Sequence, residues 1–255
     1  MKKWARRTGY ALLGLVVLGA LLFFTVAADF AASRMNGIVN IQLPPVSTEA
    51  SALHETLTVA DLHADSLLWP RNLLGRGDYG HVDLPRLQAG NVALQVFTTV
   101  TKSPRGLNYE TNDAASDDIT LLAIGSLWPP RTWTDLTERA LYQARKMHRF
   151  ADKAPNNLTI IRTGSDVETL LERRAAGSRQ VGAILGMEGA HALEGHLENL
   201  DRLFEAGHRV IGLVHFFDNA LGGSRHGVSR AGLTFFGRAV VQKAEGLGMV
   251  IDLAH

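Results

Sequence analysis

The 255-residue sequence contains no cysteine. That excludes disulfide frameworks, thiolate metal sites, iron–sulfur clusters and a cysteine nucleophile. It leaves the redox compartment open, because a chain without thiols is indifferent to it. Net charge is nearly absent too: 26 basic residues stand against 25 acidic ones, a formal +1, which gives no support to nucleic-acid binding. Residues 1–9 hold Lys2, Lys3, Arg6 and Arg7 and no acid, leaving 22 basic against 25 acidic residues in the rest. No serine sits in a G-x-S-x-G elbow, no G-x-x-x-x-G-K-[ST] phosphate loop occurs, and no H-E-x-x-H is present. Gly222-Gly223-Ser224 lacks the following helix and lysine that a phosphate cradle needs. There is no internal repeat and no low-complexity segment. With ten histidines and no thiol, any metal must be held by imidazole and carboxylate, and metal-assisted hydrolysis is the chemistry left standing.

What is present is an ordinary folded composition, 46% apolar and 20% charged. The length suits one large domain or two small ones and is close to that of a complete (β/α)8 barrel. Tyr10 to Ala28 carries no charge and, as a helix, is roughly 28 Å long, about the hydrocarbon thickness of a bilayer. Four cations precede it and Asp29 follows, so residues 1–9 are expected in the cytoplasm, 10–28 across the inner membrane once, and the rest on the extracytoplasmic side. The alternative is a cleaved signal peptide with Val26 and Ala28 as its small-residue site. The run is longer than a usual signal core, and no Pro or Gly lies between Ala20 and Ala28, which favours a retained anchor. Residues 29–56, with a Pro-Pro pair and no sustained periodicity, read as a linker, and the folded domain is expected over 57–255.

In that domain six short apolar runs end in polar residues: 57–65, 91–100, 157–163, 181–189, 209–216 and 249–255. Their Val, Ile and Leu content suits strands buried on both faces. Helical patterns over 136–150, 167–174, 197–205 and 235–246 separate the later ones. Thr234 is a predicted cap, Asp166 and Thr169 mark a helix start, and Gly207 and Gly248 mark helix ends. Strand–helix alternation predicts a parallel sheet. Residues 101–134 break the rhythm and read as a lid or a wall of the site.

In a parallel barrel, chemistry collects at the carboxyl ends of the strands. Those ends supply His63 and Asp65, then Glu188, His215 and His255. On an extended strand, residues i and i+2 share a face, so His63 and Asp65 aim together. Glu188 follows an apolar run, where a lone carboxylate needs a cation or donors; a salt bridge to an arginine and a carboxylate shared by two metal ions both answer that need. His215 or His255 alone is compatible with a satisfied core histidine, but four strand ends carrying His, Asp or Glu are hard to explain by packing. His196 and His208 are expected on the surface, His191 is left open, and no site role is expected for His54, His81, His148 and His226.

Five blocks carry a resemblance: DLHADSLLW (61–69), GHVDLPRLQAGNVALQVFTTV (80–100), GMEGAHALEG (186–195), AGHRVIGLVHFFDNALGGSRHG (206–227) and GLTFFGRAVVQKAEGLGMVIDLAH (232–255). In this order they resemble the membrane dipeptidase family, the renal-dipeptidase-like zinc peptidases, and the fourth block in particular its bacterial branch. The resemblance implies an α/β fold, a (β/α)8 TIM-type barrel, and a binuclear zinc site. His63 and Asp65 match ligands of one zinc, Glu188 the bridging carboxylate, His255 the first of two histidines on the other zinc, and His215 the histidine that contacts substrate and the tetrahedral intermediate. It implies a dipeptidase in which a metal-bridging hydroxide attacks the peptide bond. The expected partners are a dipeptide, the lipid bilayer and a second copy of the chain. The family's second histidine on the other zinc and its proton-shuttling acid belong to later strands, so the chain reads as a barrel truncated after about six strands and with little activity in that form. The rival readings are another metal-dependent amidohydrolase, acting on an acyl-amino acid or a lactam, and a non-catalytic membrane-tethered binding protein of the same fold.

Overall fold

A computed structural model describes residues 2–39 and 41–255. Met1, at the head of the basic segment, and Asn40, inside the expected linker, lie outside the described residues. The apolar runs form β1 (Val59–Ala64), β2 (Val92–Val100), β3 (Leu158–Ile160), β4 (Val181–Glu188), β5 (His208–Gly212) and β6 (Val250–Asp252). All pair in parallel, in the order β1-β2-β4-β5-β6. β3 lies against only the first residues of β4, Val181 to Ala183, on the edge that β5 takes further along. The expected six strands are therefore present, and five of them succeed one another around the curl of a half-barrel. β2 and β4 form the longest ladder, from Leu94↔Gly182 to Val100↔Glu188, and both are buried along most of their length. That double burial is why they read as continuous apolar runs instead of alternating ones.

The connecting helices follow their patterns. α4 (Leu84–Ala89) starts at Asp83, whose side chain accepts from the Arg86 N–H. α5 (Ile119–Gly125) lies in the excursion, and α6 (Leu136–Lys153) buries Ala140, Ala144 and Met147. α7 (Gly164–Ala175) begins earlier than expected: Thr163 is the cap, and Asp166 closes a capping box with it. α8 (Glu198–Glu205) precedes β5, and α9 (Phe235–Gly246) is capped by Thr234 as expected, its hydroxyl accepting from the Gly237 N–H at 2.9 Å. Gly207 and Gly248 take φ of +109° and +72° where these two helices end, a conformation that favours glycine.

One expectation fails in the core. His208 is not on the surface: it opens β5 fully buried, with Nδ1 3.0 Å from the Leu203 carbonyl and Nε2 3.3 Å from the Thr99 hydroxyl. Only Ala206 and Gly207 separate the end of α8 from β5, so His208 is already in the sheet.

The N-terminal apolar run continues further than its uncharged stretch. α1 (Lys2–Leu22), a widened turn over Phe23–Ala27 and α2 (Ala28–Met35) form one rod. Its apolar part, Arg6–Met35, is long and apolar enough to cross a membrane. The far end rests on the domain: Ala32 is fully buried in a cluster with Leu68, Trp69, Val100, Ile119, Ala123 and Trp128, and the Gly80 N–H donates to the Asn36 carbonyl at 2.7 Å. Within residues 29–56, 37–39 and 41–47 are irregular as their composition suggests, while the start belongs to α2. The same stretch also contains α3 (Thr48–Thr56), capped by Ser47 and tied to the sheet through Asn91, which donates to the carbonyls of His54 and Leu57 at 3.0 and 3.1 Å.

One side chain pins both the start and the end of the excursion over 101–134. Arg139, on α6 and 1% exposed, donates to the Thr101, Thr132 and Trp133 carbonyls, to the Asp117 carboxylate and to the Thr120 hydroxyl, all at 2.6–2.7 Å. A planar fork with five donors suits such a set of acceptors.

Candidate metal centre

The carboxyl end of the sheet collects the residues singled out in the sequence. β1 ends at Ala64, with His63 inside the strand and Asp65 just beyond it. Their side chains meet, His63 Nε2 lying 3.4 Å from Asp65 Oδ1. Glu188 is the last residue of β4, and its carboxylate is 6% exposed. His215 and His255 stand a few residues past the ends of β5 and β6, on segments that leave the sheet toward the same point.

Glu188 occupies the middle. Its Oε2 is 3.2 Å from His63 Nε2. Its Oε1 is 3.1 Å from His215 Nε2 and 3.0 Å from His255 Nε2. Two groups of donors result, His63–Asp65–Glu188 and Glu188–His215–His255, each with its ligand atoms within 4.8 Å of one another. Glu188 belongs to both. All five residues read from the strand ends are therefore brought together, and the arginine partner that would make Glu188 a plain salt bridge is replaced by three imidazoles.

Local backbone makes this arrangement. Gly189 follows Glu188 with φ +79°, and a Cβ there would come within 2.6 Å of His191 Nδ1 and 3.0 Å of His215 Cβ. Only glycine allows the chain to turn so tightly and His215 to lie so close. His255 packs edge-on to His215 at 4.8 Å between ring centres and tilts over Phe216 at the same distance.

The two sides differ in electrostatics. His63 and Asp65 are 41% and 38% exposed. Hydrogen bonding to Asp65 raises the His63 imidazole to about 9, against the opposing effect of its burial. On the other side, burial lowers His215 below the usual imidazole range, against the pull of Glu188. His191 is buried against Phe217, ring centres 5.0 Å apart, and has no hydrogen-bond partner at either nitrogen among the described residues; burial pushes it down to about 3. It is a neutral neighbour of the centre and does not reach its ligand groups.

Two contributors, Thr98 and Phe216, are not singled out in the sequence reading, and a third, His226, expected to have no site role, stands beside His255. Thr98 on β2 donates its hydroxyl to Asp65 Oδ1 and lies 3.3 Å from His63 Nε2. Phe216 and His226 stack at 4.9 Å beside His255. Thr98 lies in a Thr-Thr pair near the end of a largely buried strand next to the strand of His63, a placement that the sequence alone does not distinguish from packing.

These features have counterparts in known proteins. A family model described as membrane dipeptidase, peptidase family M19, matches residues 47–255; the match begins ahead of Leu57 and takes in α3. Dipeptidase aclJ of Aspergillus oryzae is 25% identical over 225 residues, covering 80% of this chain and 47% of its own length. Among solved structures, a dipeptidase AC of family M19 superposes with a TM-score of 0.56 at 25% identity, over 78% of this chain and 57% of that one. A metallopeptidase from Rhodobacter sphaeroides, liganded with a phosphinate mimic of the dipeptide L-Ala-D-Ala, gives 0.56 at 23%, over 78% and 59%. The probable dipeptidase PvdM from Pseudomonas aeruginosa gives 0.58 at 18%, over 80% and 48%; for these last two the likeness is one of fold. The chain spans about half the length of the curated relative it matches.

Proposed function

The chain belongs to the membrane dipeptidase family, peptidase family M19, and from that premise we propose that its centre hydrolyses the peptide bond of dipeptides with two zinc ions that share Glu188. The observation that carries this reading is the division of the Glu188 carboxylate. One oxygen faces His63 and the other faces His215 and His255. A carboxylate has lone pairs on both oxygens and can face two cations at once. The donor set suits zinc, being imidazole and carboxylate without sulfur. A carboxylate buried among three imidazoles also calls for positive charge close by.

In this assignment His63 and Asp65 serve one ion, His255 the other, and Glu188 both. Zinc held there would supply Lewis acidity toward the scissile carbonyl and a nucleophile at neutral pH. The chain's own groups do the rest. His215 is buried and lowered in pKa, so its ring is neutral at pH 7 and carries one proton. Its Nδ1 has no hydrogen-bond partner among the described residues, whereas Nε2 lies 3.1 Å from Glu188 Oε1. Nε2 is thus the ring atom that faces the centre, and with the proton there it would turn from Glu188 to donate to a carbonyl oxygen gaining negative charge. Thr98 fixes His63 and Asp65 from behind.

The same proposal puts the enzyme at a membrane. The helix Arg6–Met35 meets the length and composition of a span, four cations precede it and Asp29 stands at its far end. Residues 1–9 then lie in the cytoplasm, 10–28 enter and cross the inner membrane with the turns from Phe23 onward emerging against the domain at its outer face, and the M19 region is extracytoplasmic.

Zinc analysis of the natural full-length protein and of Glu188→Gln tests the centre. We expect two zinc ions in the former, fewer at both positions in the latter, and loss of L-Ala-L-Ala hydrolysis. Unchanged zinc content in Glu188→Gln would refute the shared carboxylate. Preferential turnover of an N-acyl amino acid or a lactam would point to a related amidohydrolase, and a protein inert with zinc to a binding module.

A further inference from the structure

In front of the centre lies a cavity of about 740 Å3 that opens on Asp65 and His215, a volume that suits a small organic ligand. Most of its domain wall is apolar, with Leu68, Trp69, Val100, Leu122 and Phe216. The facing wall comes from the N-terminal rod: Phe23, Ala27, Ala31 and Met35. These residues stand four apart. In a regular α-helix, such positions drift around the axis by about 40° per step. The widened turn over Phe23–Ala27 holds more residues per turn and sets the drift back, so Phe23 stays on the face that Ala27, Ala31 and Met35 carry. Its ring does meet the domain: a Cβ on Gly125 would lie 3.4 Å from Phe23 Cζ.

The wall is fixed in place. Ala32, beside Ala31, is fully buried against the domain, and Asn36 accepts from the Gly80 N–H. Phe24, Val26 and Phe30, on the rod's other side, stay exposed. The two faces thus serve different surroundings, and small residues at 27, 28 and 31 leave room where the rod passes the mouth of the site.

We infer that the N-terminal apolar helix is a wall of the substrate pocket and that the pocket selects dipeptides with a large apolar side chain. The inference rests on the dipeptidase reading of the metal centre. A dipeptide whose peptide bond lies over the centre, beside Asp65 and His215, extends a side chain into the adjoining cavity. A leucyl or phenylalanyl group there is removed from water by the domain on one side and by the rod on the other, which a methyl group is too small to achieve. The helix that places the enzyme at the bilayer is then also a specificity element.

Two measurements test it on the natural full-length protein in lipid nanodiscs. In the zinc-loaded protein, Ala31→Trp fills the cavity. The ratio of kcat/KM for L-Leu-L-Leu over L-Ala-L-Ala is expected to fall at least tenfold; an unchanged ratio overturns the inference. The second uses the absence of cysteine. In metal-free Ala31→Cys, alkylation by iodoacetamide should slow at least fivefold with L-Leu-L-Leu and little with L-Ala-L-Ala. Equal protection by both dipeptides, or by neither, overturns the inference whether or not Ala31→Trp folds. A wild-type protein that hydrolyses neither dipeptide, while Ala31→Cys is still selectively protected, would refute the dipeptidase reading and leave the wall intact.

Discussion

Thr98, in the interior of β2, donates its hydroxyl hydrogen to Asp65, the carboxylate just past the end of β1. The neighbouring His63 Nε2 is 3.3 Å from the same hydroxyl. Both are assigned to one zinc, so a single hydroxyl orients two ligands. Groups that orient ligands in this way typically contribute roughly 10–100-fold in metal affinity. Thr98→Val keeps the shape of the strand residue and removes the hydroxyl. We expect one of the two zinc ions to bind roughly 10–100-fold more weakly in competition titrations, with Thr98→Ser close to the natural protein. Two unchanged affinities would assign Thr98 to packing alone.

Arg139 organises a different part of the molecule. Its five hydrogen bonds link α6 to Thr101, Asp117, Thr120, Thr132 and Trp133, and the segment they pin supplies part of the cavity in front of the centre, Leu107 and Leu122 among its residues. Removing one partner of a buried ion pair costs roughly 3–5 kcal/mol. Arg139→Met should cost about that much. Arg139→Lys should be intermediate, since an ammonium has three donors in place of five. Hydrogen exchange locates the loss: protection should fall in 101–134 and persist in β2 and β4. A loss spread evenly over the sheet would show that Arg139 supports the fold as a whole.

Thr98 and Arg139 mark where sequence reading stops. The strands were legible because β2 and β4 are buried on both faces, so burial and β-branched composition coincide. The site was legible because His63, Glu188, His215 and His255 are polar groups at or just beyond the ends of apolar runs. Thr98 carries no such contrast: threonine is a good strand former, and inside VFTTV it reads as packing. Arg139 sits in an amphipathic helix, where an arginine ordinarily faces water, and the acceptors that bury it come from more than one stretch of chain. The docking of Ala32 onto Trp69 and Trp128 was hidden for a related reason: an apolar run long enough for a bilayer gives no sign of which turn rests on protein.

His215 separates a substrate contact from a ligand. Its Nε2 shares Glu188 Oε1 with His255 Nε2, so both imidazoles reach the same region. If it donates to the developing oxyanion, His215→Ala should lower kcat by about 10²–10³-fold, the usual loss for one such donor, with both zinc ions retained. Loss of one zinc in His215→Ala would make it a ligand.

His208 predicts the acid limb of stability. It is fully buried between Leu203 and Thr99, and burial pushes its imidazole down from about 6.5 to about 4. The folded protein thus refuses a proton that the unfolded chain accepts. The stabilising contribution is complete above pH 6.5, falls as pH drops toward 4, and is spent below that. One proton of difference corresponds to about 1.4 kcal/mol per pH unit, so the loss over this window is on the order of 3 kcal/mol. Denaturant midpoints of the metal-free protein between pH 7 and 4 measure it. His208→Gln, with an amide that keeps hydrogen-bonding capacity but does not titrate here, should be less stable at pH 7 and show a shallower decline below pH 6.5. Parallel curves for the two proteins would mean that another buried group takes up the proton.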